Sequence, residues 1–324
     1  MTADRVSDLP TTTVVIACHE LANLPGILAA IESVHAQTRK ASGCVVAVDH
    51  NPALAAALGD VDGVQVVENT SVHRGASATR NAGAAAARTD VVAFLDDDEV
   101  AAPDWLEQLL PPLAEVSVVG VGGRYVPLWT SARPVWFPDE LAWVVGAHHS
   151  GQPTVQSTVR NVWSGNMAVK ADLFDKIEGF RLGFGKAGGV SRPEDTDLCI
   201  RLAKVVEGGR WVYVPTAAIE HTVPGDRATF GFYVRRCYAE GRGKIELRDV
   251  IGDADVLDTE RDYLRRTIPL GFLRHLRHAA RAAIGGDGRT ALAALSRAGA
   301  ICVGIGAAAV GGAVSTIALR RGRG

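Results

Sequence analysis

Val91-Val92-Ala93-Phe94-Leu95 runs directly into Asp96-Asp97-Asp98-Glu99. The first five residues are short, continuous, apolar and rich in β-branched and aromatic side chains, which predicts a strand buried on both faces of a parallel sheet. Such strands end at the carboxyl edge of an open α/β sheet, where ligands bind. Three adjacent aspartates there repel one another and lose solvation, a cost that a bound cation or ligand donors would offset. The competing reading is a solvated acidic turn ahead of a helix starting near Pro103. Placement directly after a buried strand favours ligand or metal binding, most simply Mg²⁺ or Mn²⁺ on oxygen ligands.

Upstream, Thr12 to Cys18 reads as another buried strand, followed by the polar loop His19-Glu20-Leu21-Ala22-Asn23. Leu24, Ile27, Leu28, Ile31 and Val34 then recur at helical spacing. Cys44 to Val48 and Val64 to Val67 are further strands, ending in Asp49 and in Glu68-Asn69, and Gly75 to Arg88 is an Ala-rich helix. This alternation predicts βαβ units and a mostly parallel sheet flanked by helices. No GxGxxG or GxxxxGK[ST] follows the first strand, so dinucleotide and P-loop sites lack their main support.

Downstream, Pro103 to Leu113 predicts a helix, Val116 to Tyr125 a strand and Asn161 to Lys170 another. Between them the periodicity dissolves in a segment holding Trp129, Trp136 and Trp143, which is either a ligand-stacking loop or a local core. The glycine-rich stretch Gly179 to Gly189 reads as a lid or a plain surface loop. Glu194-Asp195-Thr196-Asp197 opens a helix, where a carboxylate is stabilised by the dipole and needs no further purpose than capping. His221 follows a strand-like run.

The chain has 324 residues, 47% of them apolar and 22% charged, with a formal net charge of −2. That is a globular composition without the basic excess of a nucleic-acid binder, so no nucleic-acid partner is expected. Five scattered cysteines without a CxxC pair predict buried free thiols in a reducing compartment. Met1 to Pro10 is polar, unlike a secretory signal. From Arg261 onward the chain is basic, ending Arg320-Arg321-Gly322-Arg323, and Ala298 to Leu319 is uncharged. That stretch is long enough to span a bilayer, which takes about 20 apolar residues, but its Ala and Gly carry little transfer energy. It is read as spanning a membrane, lying on one, or packing as a buried helix. The expected division is residues 1–250 for the α/β domain and 251–324 for a basic helical extension with the apolar segment 298–319.

Taken in order, Thr13-Val14-Val15-Ile16-Ala17-Cys18-His19-Glu20, Val48-Asp49, Arg74-Gly75-Ala76-Ser77-Ala78-Thr79-Arg80-Asn81, Phe94-Leu95-Asp96-Asp97-Asp98, Gly165-Asn166, Gly179-Phe180 and Glu194-Asp195-Thr196-Asp197 resemble a family 2 glycosyltransferase with the GT-A fold. The resemblance covers roughly Thr12 to His221. It implies inverting transfer of a sugar from a nucleotide-diphosphate donor to a hydroxyl acceptor, which is lipid-linked, a glycan or a small molecule, with Mn²⁺ or Mg²⁺. Carried over by position, Asp195 resembles the general base, with Glu194 beside it. His19, Glu20, Asp49, Arg80, Asp96 and Asp97 resemble nucleotide-sugar contacts, and Asp98 and His221 metal ligands. The QxxRW element of processive synthases is absent, since Arg235-Arg236-Cys237-Tyr238 does not match it, so single transfer is expected. With the basic, apolar C-terminus, the expected location is the cytoplasmic face of the cell membrane, peripheral or anchored. Two other classes fit less of the chain: a nucleotidyltransferase, which would carry Gly and Lys where His19 to Asn23 stands, and a non-catalytic membrane-docked scaffold.

Overall fold

The computed structural model describes residues 10–187, 190–252 and 257–322. Most of the N-terminal segment, the last two glycines of Gly179–Gly189 and Arg323 lie outside the described residues. Eight strands come first: β1 (Thr12–Cys18), β2 (Gly43–Asp49), β3 (Gln65–Asn69), β4 (Val91–Asp96), β5 (Glu99–Ala101), β6 (Val118–Trp129), β7 (Ser157–Val159) and β8 (Asn166–Lys170). Two short strands, β9 (Gly185–Ala187) and β10 (Val190–Arg192), precede β11 (Arg210–Val223). Among the described residues one sheet runs β3-β2-β1-β4-β8-β6-β11-β5, with β7 on β11.

The β3-β2-β1-β4 half is parallel, as the buried apolar runs predict, while β8 is antiparallel to both β4 and β6. Register sets the functional edge: Asp96 lies opposite Ala17, Val48 opposite Cys18, and Asn69 opposite Asp49. The loops after β1, β2 and β4 therefore emerge side by side. Val91 to Leu95 are fully buried. Helix α1 (Leu24–His35) buries Ile27, Ile31 and Val34 and leaves Leu28 outward. Helices α2 (Pro52–Leu58) and α3 (Ala76–Ala86) complete the first βαβ units. The helix expected over Pro103–Leu113 is two shorter pieces, α4 (Trp105–Leu109) and a 3₁₀ turn at Pro111–Ala114, because consecutive prolines interrupt the backbone ladder. Helices α5 (Ala171–Lys176) and α6 (Glu194–Ala203) follow.

The chain divides into two compact units. The first comprises Met1–Val126, Pro153–Gly189 and Pro193–His221. The second comprises Pro127–Gln152, Val190–Arg192 and Thr222–Gly324. The second unit holds α7 (Phe230–Ile251), α8 (Asp258–Asp262), α9 (Ile268–Ile284) and α10 (Gly288–Gly322). The tryptophan-rich segment is a local core: Trp129, Trp136 and Trp143 pack against buried Phe137, Leu141, Tyr233 and Ile301. Of the five cysteines, only Cys302 is exposed, and all are free.

Candidate functional site

The acidic run does not form a simple turn. Asp96 ends β4, while Glu99 opens β5 and pairs with His221 of β11. Glu99 and His221 are buried, at 2% and 6% exposure. Asp98 Oδ2 lies 3.4 Å from His221 Nε2. One ligand atom each from Asp98, Glu99 and His221 falls within 4.8 Å of the others, a donor set able to hold a metal ion. Glu99 was not foreseen as a ligand; its signal was its place at the start of a short apolar run after the three aspartates. Its Oε2 accepts a hydrogen bond from Asp96 N at 2.9 Å. Burial, with Asp96 and Asp98 nearby, pushes the Glu99 carboxyl well above its usual range. Burial and the same kind of like-charge crowding push Asp97 up to about 6. Carboxyls that resist ionising this way are the ones a cation would relieve.

Gly165 explains how the carboxylates fit. A Cβ there would lie 2.5 Å from Glu99 Oε1 and 2.8 Å from Asp96 Oδ2, so any other residue would push these carboxylates aside. Next to it, buried Asn166 accepts from the Trp105 indole at 2.8 Å and donates to the carbonyls of Arg124 and Ala217, both at 3.1 Å. The Gly-Asn pair thus makes room for the acids and ties α4, β6 and β11 together behind them.

Arg80 of α3 joins the two acidic motifs. It is 4% exposed, ion-paired to Asp96, and its Nη1 lies 3.4 Å from Glu194 Oε1. Burial and the adjacent Asp195 push the Glu194 carboxyl up to about 7, against the pull of Arg80. Asp195 Oδ1 accepts from Thr196 N at 2.6 Å. Asp197, fully buried, is ion-paired with Arg181 and Arg201 at 3.0 and 2.8 Å. That pairing gives Asp197 a packing role within the Glu194-Asp195-Thr196-Asp197 motif. Tyr125 of β6 was also missed. Its buried hydroxyl has no hydrogen-bond partner among the described residues, and the charges of Glu99, Asp96, Arg80 and Asp195 all bear on it. Tyr125 stacks edge-on against Trp163 and His221.

The other predicted contacts lie along the same sheet edge. Asp49 accepts from His50 and Asn69 on Oδ1 and from Gly75 N at 2.8 Å on Oδ2. Burial raises its carboxyl, but these hydrogen bonds outweigh it and hold the pKa below the ordinary value. Asp49 therefore organises the start of α3. His19 and Glu20 are exposed and lie 3.3 Å from one another. The segment after Gly179 is not free at its start: Asn81 exchanges two hydrogen bonds with the Phe180 backbone, and Phe180 packs on Phe94 and Phe174.

Residues 12–178 match the family model described as Glycosyl transferase family 2. Glucosyl-dolichyl phosphate glucuronosyltransferase of Haloferax volcanii is 32% identical over 238 residues, which is 72% of this chain and 75% of that protein. Succinoglycan biosynthesis protein ExoM of Rhizobium meliloti is 28% identical over 172 residues, 52% of each chain. Among solved structures, mannosyltransferase PcManGT from Pyrobaculum calidifontis, in complex with GDP-Man and Mn²⁺, superposes with a TM-score of 0.61 over 94% of this chain and 88% of its own. At 18% identity, that likeness concerns the fold.

Proposed function

The chain belongs to glycosyl transferase family 2 and is a nucleotide-sugar-dependent glycosyltransferase of the GT-A fold, and on that premise we propose that it transfers with inversion, using Asp195 as general base. The observation that carries the reading is Arg80, which bridges Asp96 at the strand end and Glu194 beside Asp195. A mere helix cap would not need a buried arginine from α3 that is also paired to the first acidic motif. In the transfer, Asp195 accepts the proton of the acceptor hydroxyl as its oxygen bonds to the anomeric carbon. The bond from that carbon to the donor's phosphate oxygen breaks on the opposite face, and the nucleoside diphosphate leaves with the electron pair. Glu194 stays paired to Arg80 and positions Asp195. Asp49, Arg80, Asp96 and Asp97, with His19 and Glu20 at the rim, line the nucleotide-sugar side.

Asp98, Glu99 and His221 would hold a divalent cation. Two carboxylates with one imidazole suit Mn²⁺ better than Mg²⁺, which prefers all-oxygen shells. When bound, such a cation supplies positive charge against the departing diphosphate. The Mn²⁺ in the mannosyltransferase complex supports this choice. The acceptor we propose is a lipid-linked saccharide at the cytoplasmic membrane face, in keeping with the glucosyl-dolichyl phosphate named for the archaeal relative.

The test is a thermal-shift screen of nucleotide sugars with and without Mn²⁺, since a ligand that binds only the folded state raises its apparent stability. Asp98→Asn is expected to lose the metal-dependent shift. Asp195→Asn is expected to keep it and lose transfer by about 10²-fold or more. Undiminished transfer by Asp195→Asn removes it as base, and a product with the donor's anomeric configuration removes inversion.

A further inference from the structure

Helix α10 has two unlike faces. One packs inside the second unit: Ala294, Ala298, Ile301 and Ser315 are buried there. Its contact with α7 is backbone against backbone. A Cβ on Gly241 would lie 1.9 Å from Ala308 O, and one on Gly311 would lie 2.1 Å from Tyr238 O. The Tyr233 hydroxyl donates to Ala300 O at 2.7 Å. The other face exposes Leu292, Leu295, Val303, Val310, Val314 and Ile317, at helical spacing. From residue 298 to residue 319 the helix carries no charge. The exposed stripe from Leu292 to Ile317 is about 38 Å long at 1.5 Å per residue.

Neighbouring α9 repeats the pattern. Leu273, Leu276 and Ile284 are exposed, flanked by exposed Arg274, Arg277 and Arg281. From Tyr263 to Gly322 the chain holds nine arginines and one acid, Asp287. An apolar stripe with basic flanks fits an anionic lipid surface. It fits a second copy badly, because pairing like with like would oppose these arginines.

Gly288–Arg321 is long and apolar enough to cross a membrane. Its packing argues against that. Helix α7, in direct contact with it, carries Arg236, Glu240, Arg242, Lys244 and Glu246, joined by ion pairs. A spanning α10 would either draw these charges into hydrocarbon, where basic and acidic side chains are costly, or strip α7 away and uncover Tyr233 and Cys237.

We propose that α9 and α10 dock this chain on an anionic bilayer with α10 lying in the membrane plane, its outer face at the headgroup–acyl boundary. This deepens the membrane reading above and is independent of the transfer chemistry. Exposed Cys302 provides a native labelling site, and Leu292→Cys and Ile317→Cys in a Cys302→Ala background extend it. Each is labelled with an environment-sensitive fluorophore and quenched by depth-graded lipids. The vesicles are equal parts phosphatidylglycerol and phosphatidylcholine, or phosphatidylcholine alone. Binding is expected to be about tenfold or more stronger on the anionic vesicles, with all three positions at one shallow depth. Depth graded from residue 292 to residue 317 overturns the in-plane arrangement while keeping membrane association. No binding to either vesicle overturns both and leaves the transferase reading standing. Val303→Asp with Val310→Asp is expected to abolish vesicle binding while keeping the nucleotide-sugar thermal shift, and retained binding overturns the assigned face.

Discussion

Glu194 changes character between chain and fold. In the chain it is a first-turn acid that the helix dipole would keep ionised. In the fold, burial and Asp195 push its carboxyl up to about 7. A carboxyl raised in the folded state binds its proton more tightly than the unfolded chain does. Between the ordinary value of 4.5 and about 7 the folded protein thus holds more protons, so its stability falls as pH rises through that window. Glu194→Gln removes the titration, and unfolding measured across the window is expected to show a shallower fall, by on the order of 1–3 kcal/mol. Parallel stability curves for the two proteins would show that the carboxyl is not shifted. Gly165→Ala tests the cradle around the acids. The added methyl must displace Glu99 or Asp96, so a loss of about 1–3 kcal/mol in stability is expected, together with the metal-dependent thermal shift. An unchanged shift would mean that the carboxylates have room. As candidate ligands, Asp98 and His221 were singled out by motif order, and the structure brings them together. Glu99 was not, because an acid after three aspartates reads as more of the same turn until β5 pairs with β11.

Single elements were mostly legible where periodicity was strong. The apolar run of β4 is buried throughout, and of the residues its spacing selects α1 buries Ile27, Ile31 and Val34, leaving Leu24 partly buried and Leu28 exposed. The strand expected over Asn161–Lys170 begins only at Asn166, because the residues before it turn the chain past the acidic cluster. The strand-like run ahead of His221 belongs to one long strand, β11, which runs through Pro215. Asn166 holds this region together by serving three partners on other elements. Asn166→Ala leaves the Trp105 indole and two carbonyls without it, and a loss of about 3 kcal/mol or more is expected in urea unfolding. A change below about 1 kcal/mol would mean that water or a neighbour replaces the amide.

At the scale of the whole molecule, the C-terminal helix is part of a core. Ala300 and Ile301 of α10 share a buried cluster with Phe137, Leu141, Tyr233 and Cys237. An anchor merely appended to a catalytic domain can be removed without harm to what remains. Here, deleting residues 288–324 would uncover that cluster, and apolar surface of this kind drives aggregation. The truncated protein is expected to elute as aggregate in gel filtration, with reduced helicity beyond the loss of α10 itself. A monodisperse, fully folded truncation would show that the second unit does not depend on the helix.

By itself the sequence determined the layered α/β class, the order of the first strands and the family, because apolar periodicity and short motifs are local properties of a chain. It also placed acids at a strand end, where an open sheet binds ligands. Only the tertiary structure decided which of those acids meet. Glu194 reaches Arg80, 114 residues away, and Glu99 lies beside His221, because β5, which follows directly after β4, pairs with β11. For α10, length and composition are equal for a span and for a packed helix, and what the tertiary structure adds is its glycine-to-backbone contact with a charged neighbour.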